Sequence, residues 1–161
     1  MRGKSARDLS EAEIREIALR YLCRREYGIE ELLRKLLQRD ADVQIARKVV
    51  GDLADSDLVS DQRFTEMYVR MRIRNLFGPL KIRAELQARG ITPQQIAIAM
   101  PQDQDTWFEN ASLWAQKRCQ GELDYAARAK IHRSLMNRGF THEQANVALD
   151  RVQAQSADPS M

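Results

Sequence analysis

One pattern recurs along this chain at a spacing of about fifty residues, and it limits the possible folds more than any other feature. Residues 82–92 share the pattern Ile-x-x-x-Leu-x-x-Arg-Gly-apolar-Thr with residues 131–141, at an offset of 49 positions. Residues 32–39 resemble the first part of this pattern, at an offset of 50 positions from the first complete copy. Asp40 then stands at the position where the two complete copies have Gly. Because each copy has helical spacing, the repeat predicts a quasi-linear array of similar helical units.

Helix start and stop signals flank these repeats. Ser10, Thr92 and Thr141 are each followed three residues later by Glu or Gln, which is the pattern of a capping box. Gly90 and Gly139 follow helical segments at the position that favours a left-handed stop. The chain has only 7 Gly, 4 Pro and 6% aromatic residues in 161, which argues against a sandwich or a barrel. The sequence therefore predicts an all-α protein of three tandem three-helix repeats.

The apolar periodicity and its interruptions divide the chain into five segments. Amphipathic stripes restart after residue 57 and again near Asp105, while the first nine residues are basic and the last ones polar. The predicted segments are a flexible basic tail at 1–9, three-helix repeats at 10–57, 58–101 and 102–153, and a flexible tail at 154–161.

Positive charge is concentrated in the middle of the chain. The formal net charge is +3, but residues 61–92 alone hold seven basic side chains against three acidic ones. Arg70 and Arg74 are four residues apart on one helix face, where unpaired like charges favour a neutralising partner. The pattern predicts contact with a nucleic acid or an acidic protein surface, and a solvated helix face is the other interpretation. The predicted contact residues are Arg63, Arg70, Arg72, Arg74, Lys81, Arg83 and Arg89.

The sequence contains no recognisable arrangement of catalytic or metal-ligating residues. His132 and His142 lie on different predicted helices, and neither Cys nor His occurs at metal-ligand spacing. There is no glycine-rich phosphate loop, and no apolar run approaches the roughly 18 residues that a membrane span needs. We therefore expect no enzymatic activity, no cofactor, no metal ion and no membrane insertion.

The cysteine and tryptophan residues are predicted to serve packing. Cys23 and Cys119 are too few for a disulfide framework, which favours a reducing cytoplasm, and single cysteines on helical segments are expected to be buried. Trp107 and Trp114 are seven residues apart on one predicted helix face. That spacing predicts core packing rather than stacking on nucleic acid bases.

Three stretches of this sequence resemble the RecX family of recombination regulators. The middle one combines residues 58–64 (Leu-Val-Ser-Asp-Gln-Arg-Phe), Arg70-x-Arg72 and the string Gly-Pro-x-Lys-Ile-x-x-Glu-Leu-x-x-Arg-Gly-Ile of residues 78–91. Residues 30–36 and 130–140 resemble the N-terminal and C-terminal motifs of that family. The resemblance covers roughly residues 11–150, and the middle motif is the specific one.

The resemblance implies an elongated, curved molecule of three tandem three-helix units. It also implies a non-enzymatic regulator that binds the RecA recombinase filament and damps strand exchange, ATP hydrolysis and coprotease function. Such a regulator acts in DNA recombination, DNA repair and the SOS response, and we expect it to be cytoplasmic and monomeric. A rod of three units can lie in the helical groove and contact several successive protomers at once.

Other partners and functions stay open at this point. Weak binding to single- or double-stranded DNA can accompany binding to the filament. The main alternative is a small helical-repeat DNA-binding protein that acts through its basic central unit. A helical adaptor for another client is the remaining possibility.

Overall fold

The computed structural model describes residues 8–158 and confirms the predicted all-α class. Within that range the chain forms no strand and nine helices, which are α1 Glu11–Leu22, α2 Ile29–Leu37, α3 Val43–Asp55, α4 Asp61–Arg74, α5 Pro79–Ala88, α6 Pro93–Ala99, α7 Asp105–Arg118, α8 Tyr125–Asn137 and α9 His142–Ala157. Residues 1–7 of the predicted basic tail and residues 159–161 lie outside the described residues. None of the nine helices is both long enough and apolar enough to cross a membrane.

Both ends of the described range are more ordered than the sequence suggested. Leu9, which was assigned to the first tail, packs against the first hydrophobic core. Helix α9 continues to Ala157, so residues 154–157 of the predicted flexible tail are helical. Gln155 accepts a 2.9 Å hydrogen bond from Gln116 on α7. The helix ends before Asp158 because this residue precedes a proline in the sequence, and the residue before a proline is disfavoured in a helix.

The helices form three consecutive triplets, α1–α3, α4–α6 and α7–α9, and each triplet encloses its own core. Each helix packs mainly on the other two helices of its triplet. Leu36 on α2, Leu86 on α5 and Leu135 on α8 are fully buried in three separate clusters. Burying one such side chain contributes about 1.5–3 kcal/mol to stability. The repeat in the sequence is therefore a repeat of the middle helices that fill these cores.

The first and second triplets each receive a buried side chain from the segment that follows them. Val59, just before α4, lies in the first core and is 1% exposed. Trp107, on α7, is 2% exposed and lies in the second core, which confirms its predicted core packing. The sequence had assigned Val59 to the second repeat and Trp107 to the third. The domain boundaries stay a prediction, while the packing links each triplet to the next.

The predicted helix caps form. The repeat copy that has Asp40 in place of Gly ends its helix in the same way as the other copies. Ser10, Thr92 and Thr141 each make both hydrogen bonds of a capping box. Gly139 has φ +90°, and Asp40 has φ +60° at the matching position after α2. Asp enters the left-handed region more readily than most residues because its short side chain can form local hydrogen bonds. The departure from Gly therefore leaves the backbone turn intact.

Backbone hydrogen bonds connect the second triplet to the third. The Gly78 N–H donates to the Arg138 carbonyl (2.7 Å), and the Leu80 N–H donates to the Gly139 carbonyl (2.9 Å). The first N–H groups of α5 thereby pair with carbonyl groups at the end of α8, and both sets lack partners within their own helix. The positive end of the α5 dipole also contacts the negative end of the α8 dipole. We call this contact the second joint.

The first joint, between the first and second triplets, relies on side chains. Asp61, at the start of α4, accepts a 2.8 Å hydrogen bond from the first N–H of α2. Arg34 on α2 donates to the Ala88 carbonyl at the end of α5 (3.0 Å). A Cβ on Gly90 would lie 2.6 Å from the Glu30 Cγ, so this glycine also makes room for α2. In both joints, one middle helix contacts the C-terminal end of the next middle helix.

Candidate partner-binding surface

Arg72, one of the predicted contact residues, is engaged inside the second triplet. Its guanidinium forms a two-pronged ion pair with the Glu85 carboxylate on α5, with 2.8 Å between Nε and Oε2. The Tyr68 hydroxyl donates to the same carboxylate. Burial opposes ionisation of Glu85, but hydrogen bonds from Arg72 and Tyr68 outweigh it and hold the pKa of Glu85 below its ordinary value. Burial and the hydrogen bond to Glu85 raise the pKa of Tyr68 to about 12.

Arg63 and Arg89 are also held by groups of this chain. The Arg63 Nε lies 3.0 Å from Glu26 Oε1, and its Nη1 lies 3.0 Å from Asp57 Oδ1, which links α4 to the first triplet. The Arg89 guanidinium lies 4.9 Å from the centre of the Tyr68 ring and donates to a backbone carbonyl on α5. These arginines and Arg72 therefore stabilise the fold through contacts within the chain.

Three other predicted residues carry positive charges that the described part of the chain does not neutralise. Arg70, Arg74 and Arg83 are exposed, and within residues 8–158 none of them forms a hydrogen bond or an ion pair. Helix α4 buries Phe64 and Val69, while Arg70 and Arg74 project one turn apart from its exposed side. A pair of unneutralised cations on one helix face is a suitable contact for an acidic surface.

Lys81 is directed toward the third triplet. It is half-buried on α5, with its Nζ 3.5 Å from the Asn137 carbonyl on α8 and 5.3 Å from the centre of the Phe77 ring. Arg72 is paired with Glu85 and Lys81 lies at the second joint, so the seven predicted cations differ in how freely they are available to a partner. The free charges divide between α4, α5 and the second joint.

Arg138, which the sequence analysis did not select, lies at the centre of a chain of cation–π contacts across the second joint. The Arg138 guanidinium lies 3.8 Å from the centre of the Phe77 ring and 3.7 Å from that of Trp114. Arg72 lies 3.6 Å from the Phe77 ring centre, and Arg118 lies 4.5 Å from that of Trp114. Trp114 is half-buried: it packs against the core of the third triplet, as the sequence predicted, and also lies among these cations.

Within residues 8–158, the charge of Arg138 is balanced by backbone carbonyls and not by a carboxylate. Its guanidinium donates to the carbonyls of Leu76 (2.9 Å) and Asn75. Burial lowers the pKa of Arg138, and the positive charges of Arg72 and Arg118 lower it further. Counting charges by segment concealed this cluster, because acidic residues elsewhere in 93–161 balance its cations. The available signal was the repeated Arg-Gly pair, in which Arg138 corresponds to Arg89.

The cysteines are less buried than predicted, and the two histidines lie on different helices as predicted. Cys23 is exposed and Cys119 is half-buried, so the prediction that both are buried is wrong. Each follows the last residue of a helix, α1 or α7, where the chain leaves the packed face. His132 and His142 come together with ring centres 5.3 Å apart. Across residues 8–158, no three His, Cys, Asp or Glu side chains are grouped so as to hold a metal ion.

Comparisons with known proteins point to one family. The family description "RecX, second three-helix domain" matches residues 60–100, which contain α4, α5 and α6. A protein named "Regulatory protein RecX" from Legionella pneumophila (strain Corby) is 38% identical over 128 residues, which is 78% of this chain and 85% of that protein. Its namesake from Chromohalobacter salexigens is 38% identical over 140 residues, or 86% and 92% of the two chains.

Two solved structures have the same fold. The crystal structure of RecX from Lactobacillus salivarius matches this chain with a TM-score of 0.74 at 22% identity, covering 89% of this chain and 97% of that one. A second, described as the crystal structure of regulatory protein RecX, matches with a TM-score of 0.76 at 23% identity, covering 87% and 73%. At these identities the likeness concerns the architecture of three-helix repeats alone.

Proposed function

The chain belongs to the RecX family of regulatory proteins, and on that premise we propose that it binds the RecA nucleoprotein filament and inhibits its activities. In this proposal the molecule lies in the helical groove, bridges neighbouring protomers and reduces recombinase, ATPase and coprotease activity. It acts as a monomer in the cytoplasm, in DNA recombination, DNA repair and the SOS response. It needs no cofactor and performs no catalysis of its own.

The observation that carries the filament contact is the pair of free cations on the exposed side of α4. Arg70 and Arg74 have no partner within residues 8–158, and Arg83 on α5 adds a third free charge. Complementary charge speeds encounter with an acidic surface and fixes the orientation of the complex. We assign the direct contact to these three arginines and to Lys81. Arg63, Arg72 and Arg89 then act by holding α4 and α5 in position.

The joints support bridging of several protomers. Hydrogen bonds connect each triplet to the next, and the backbone bonds of the second joint hold the second and third triplets at a constant spacing. A preorganised molecule loses less conformational entropy on binding, and each contact raises the effective concentration of the next. Several individually weak contacts along a polymer can therefore add up to tight binding.

The alternative of DNA binding through the central unit has less support in the structure than in the sequence. Arg63 and Arg72 are neutralised by Glu26, Asp57 and Glu85, so they contribute little to a phosphate-binding surface. The central unit keeps fewer free cations than its composition suggests. We therefore prefer the acidic surface of the filament as the partner of this unit.

The experiment that tests the proposal is a titration of this chain into ATPase and strand-exchange assays of the RecA recombinase from the same organism. Inhibition well below one molecule per protomer would indicate blocked filament growth, and inhibition only near saturation would indicate occupation of the groove. Either result supports regulation of the filament. Unchanged ATPase and strand exchange at saturating protein would contradict it.

A further inference from the structure

A cleft of about 480 Å³ opens beside the second joint, between α5, α7 and α8. Five of the side chains that line it are cationic, namely Lys81, Arg118, Lys130, Arg133 and Arg138. Among the described residues, no carboxylate lines it. We call this feature the joint cleft.

The protein does not neutralise these charges itself. Arg118, Lys130 and Arg133 are exposed and form no ion pair within residues 8–158. A neighbouring hollow of about 460 Å³ shares Arg118 and Lys130 and adds Lys117, so the positive surface continues along α7 and α8. A surface lined by one sign of charge attracts ligands of the opposite sign.

The aromatic rings beside the joint cleft favour recognition of charge over recognition of bases. Guanidinium groups already lie over Phe77 and Trp114, so the ring faces on which a base would stack are occupied. The Trp114 Nε1–H is also engaged, because it donates a 2.9 Å hydrogen bond to Ser134. The joint cleft therefore offers a ligand mainly Lys and Arg side chains.

A nucleic acid backbone matches this surface better than an acidic protein segment does. Protein partners usually gain most of their affinity by burying a few aromatic or Arg anchors in well-packed pockets. Phosphate contacts need only Lys and Arg, and a nucleic acid supplies closely spaced negative charges, about one per 1.7 Å of duplex axis. Five cations with no carboxylate among them suit such a ligand.

We propose that the joint cleft binds the phosphodiester backbone of a nucleic acid, with Lys130 and Arg133 on α8 as the principal phosphate contacts. These two exposed side chains are three residues apart and therefore neighbours on one helix face. Lys81, Arg118 and Arg138 complete the positive surface. The site lies across the second and third triplets, and all its cations except Lys81 lie outside the central segment that sequence composition favoured. Phosphate contacts of this kind recognise charge and not base sequence.

This inference does not depend on the RecA proposal, because it concerns bare nucleic acid. The test measures binding of a fluorescein-labelled oligothymidylate and of a labelled duplex by fluorescence anisotropy, at salt concentrations from about 50 to 200 mM. The cleft variant is Lys130→Gln/Arg133→Gln. The matched control is Arg24→Gln/Arg47→Gln, which removes the same two charges from exposed positions in the first triplet. Circular dichroism establishes that both variants are folded.

We expect the wild type to bind both probes with an affinity that falls steeply with salt. The cleft variant should bind oligothymidylate on the order of tenfold more weakly, with a log–log salt slope smaller by about 1.4, or 0.7 for each lost phosphate contact. The control variant should bind like the wild type.

Three results would overturn the inference. The first is absence of binding at the lowest salt. The second is an equal loss in the control variant, which would show a general effect of net charge. The third is equally tight, equally cleft-dependent binding of a labelled polyglutamate, which would identify a site for acidic protein segments.

Discussion

Gly78 lies directly against the backbone of Gly139. A Cβ built on Gly78 would stand 2.2 Å from the Gly139 carbonyl carbon and 2.3 Å from the Phe140 nitrogen, closer than real Cβ contacts occur. A Cβ on Gly139 would in turn stand 2.5 Å from the backbone nitrogen of Lys81. The hydrogen bonds between α5 and α8 are possible because neither glycine carries a side chain.

We expect Gly78→Ala to open the second joint and to destabilise the protein by about 2 kcal/mol or more, since the clash involves backbone that cannot rotate away. Gly51→Ala is the matched control: Gly51 lies within α3, and a Cβ there would have no neighbour within 4 Å. That change should stabilise the protein by about 0.5–1 kcal/mol through helix propensity. Denaturant unfolding measures both values, and equal tolerance of the two substitutions would contradict the geometry.

Arg138→Lys should destabilise the protein although it preserves the charge. Lysine lacks the planar fork that contacts two carbonyl groups and the rings of Phe77 and Trp114 at once. We expect a loss of about 1–3 kcal/mol in the free energy of unfolding. Arg133→Lys, at an exposed position without partners in the described part of the chain, should change it by less than about 0.5 kcal/mol.

The ion pair between Arg72 and Glu85 predicts a specific dependence of stability on pH. The pKa of Glu85 in the folded protein lies below its ordinary value of 4.5, so its ionised form stabilises the fold at neutral pH. That contribution is present above the unfolded pKa and is lost as pH falls through the lower folded pKa. The stability difference between wild type and Glu85→Gln, measured by denaturant unfolding, should therefore be largest near neutral pH and shrink below about pH 4.5. A difference that stays constant down to about pH 3 would contradict this assignment.

If the α4 arginines contact the filament, Arg70→Glu/Arg74→Glu should weaken binding to RecA filaments on the order of tenfold or more, since the change places like charges against an acidic surface. Arg24→Glu/Arg47→Glu makes the same change of charge at exposed positions in the first triplet. Co-sedimentation with assembled filaments measures both. Equal affinities for the two folded variants would remove α4 from the contact surface.

The two thiols should differ in accessibility. Cys23 is exposed at the end of α1, whereas Cys119 is half-buried and its Sγ lies 3.4 Å from the Gly121 carbonyl oxygen. We expect a maleimide to label Cys23 first in the native protein and both thiols after unfolding. Mass spectrometry of partially labelled protein identifies the site, and preferential labelling of Cys119 would contradict the exposures described above.

The fold could be predicted from the sequence because its signals are local or periodic. The capping boxes at Ser10 and Thr141 lie within four residues, and the buried Leu of each middle helix recurs at the repeat interval. Asp40 shows the limit of such a pattern, since the left-handed stop needs a backbone geometry and not glycine as such. Residues 154–157 were assigned to a tail because a polar composition resembles a loop even where nothing interrupts the helix.

The candidate surface could be predicted only in part, because pairing depends on contacts between helices. Nothing in the sequence marks Glu85 as the partner of Arg72, thirteen residues earlier, so that arginine was counted as free. Arg138 and Arg89 occupy the same place in the repeat, yet they contact different rings because their neighbouring helices differ. The cations of the joint cleft come from three helices, which only the packing brings together.

The two joints are built from different groups, and we expect this to decide how the molecule deforms. The second joint is made by backbone groups of Gly78 and Leu80, which cannot change rotamer, whereas the first joint depends on side chains such as Asp61 and Arg34, which can. We therefore expect the second and third triplets to move as one rigid body, while the α1–α3 triplet changes its orientation at the first joint. Such a molecule can stay bound to a helical filament while its first triplet adjusts to changes in the pitch of that filament.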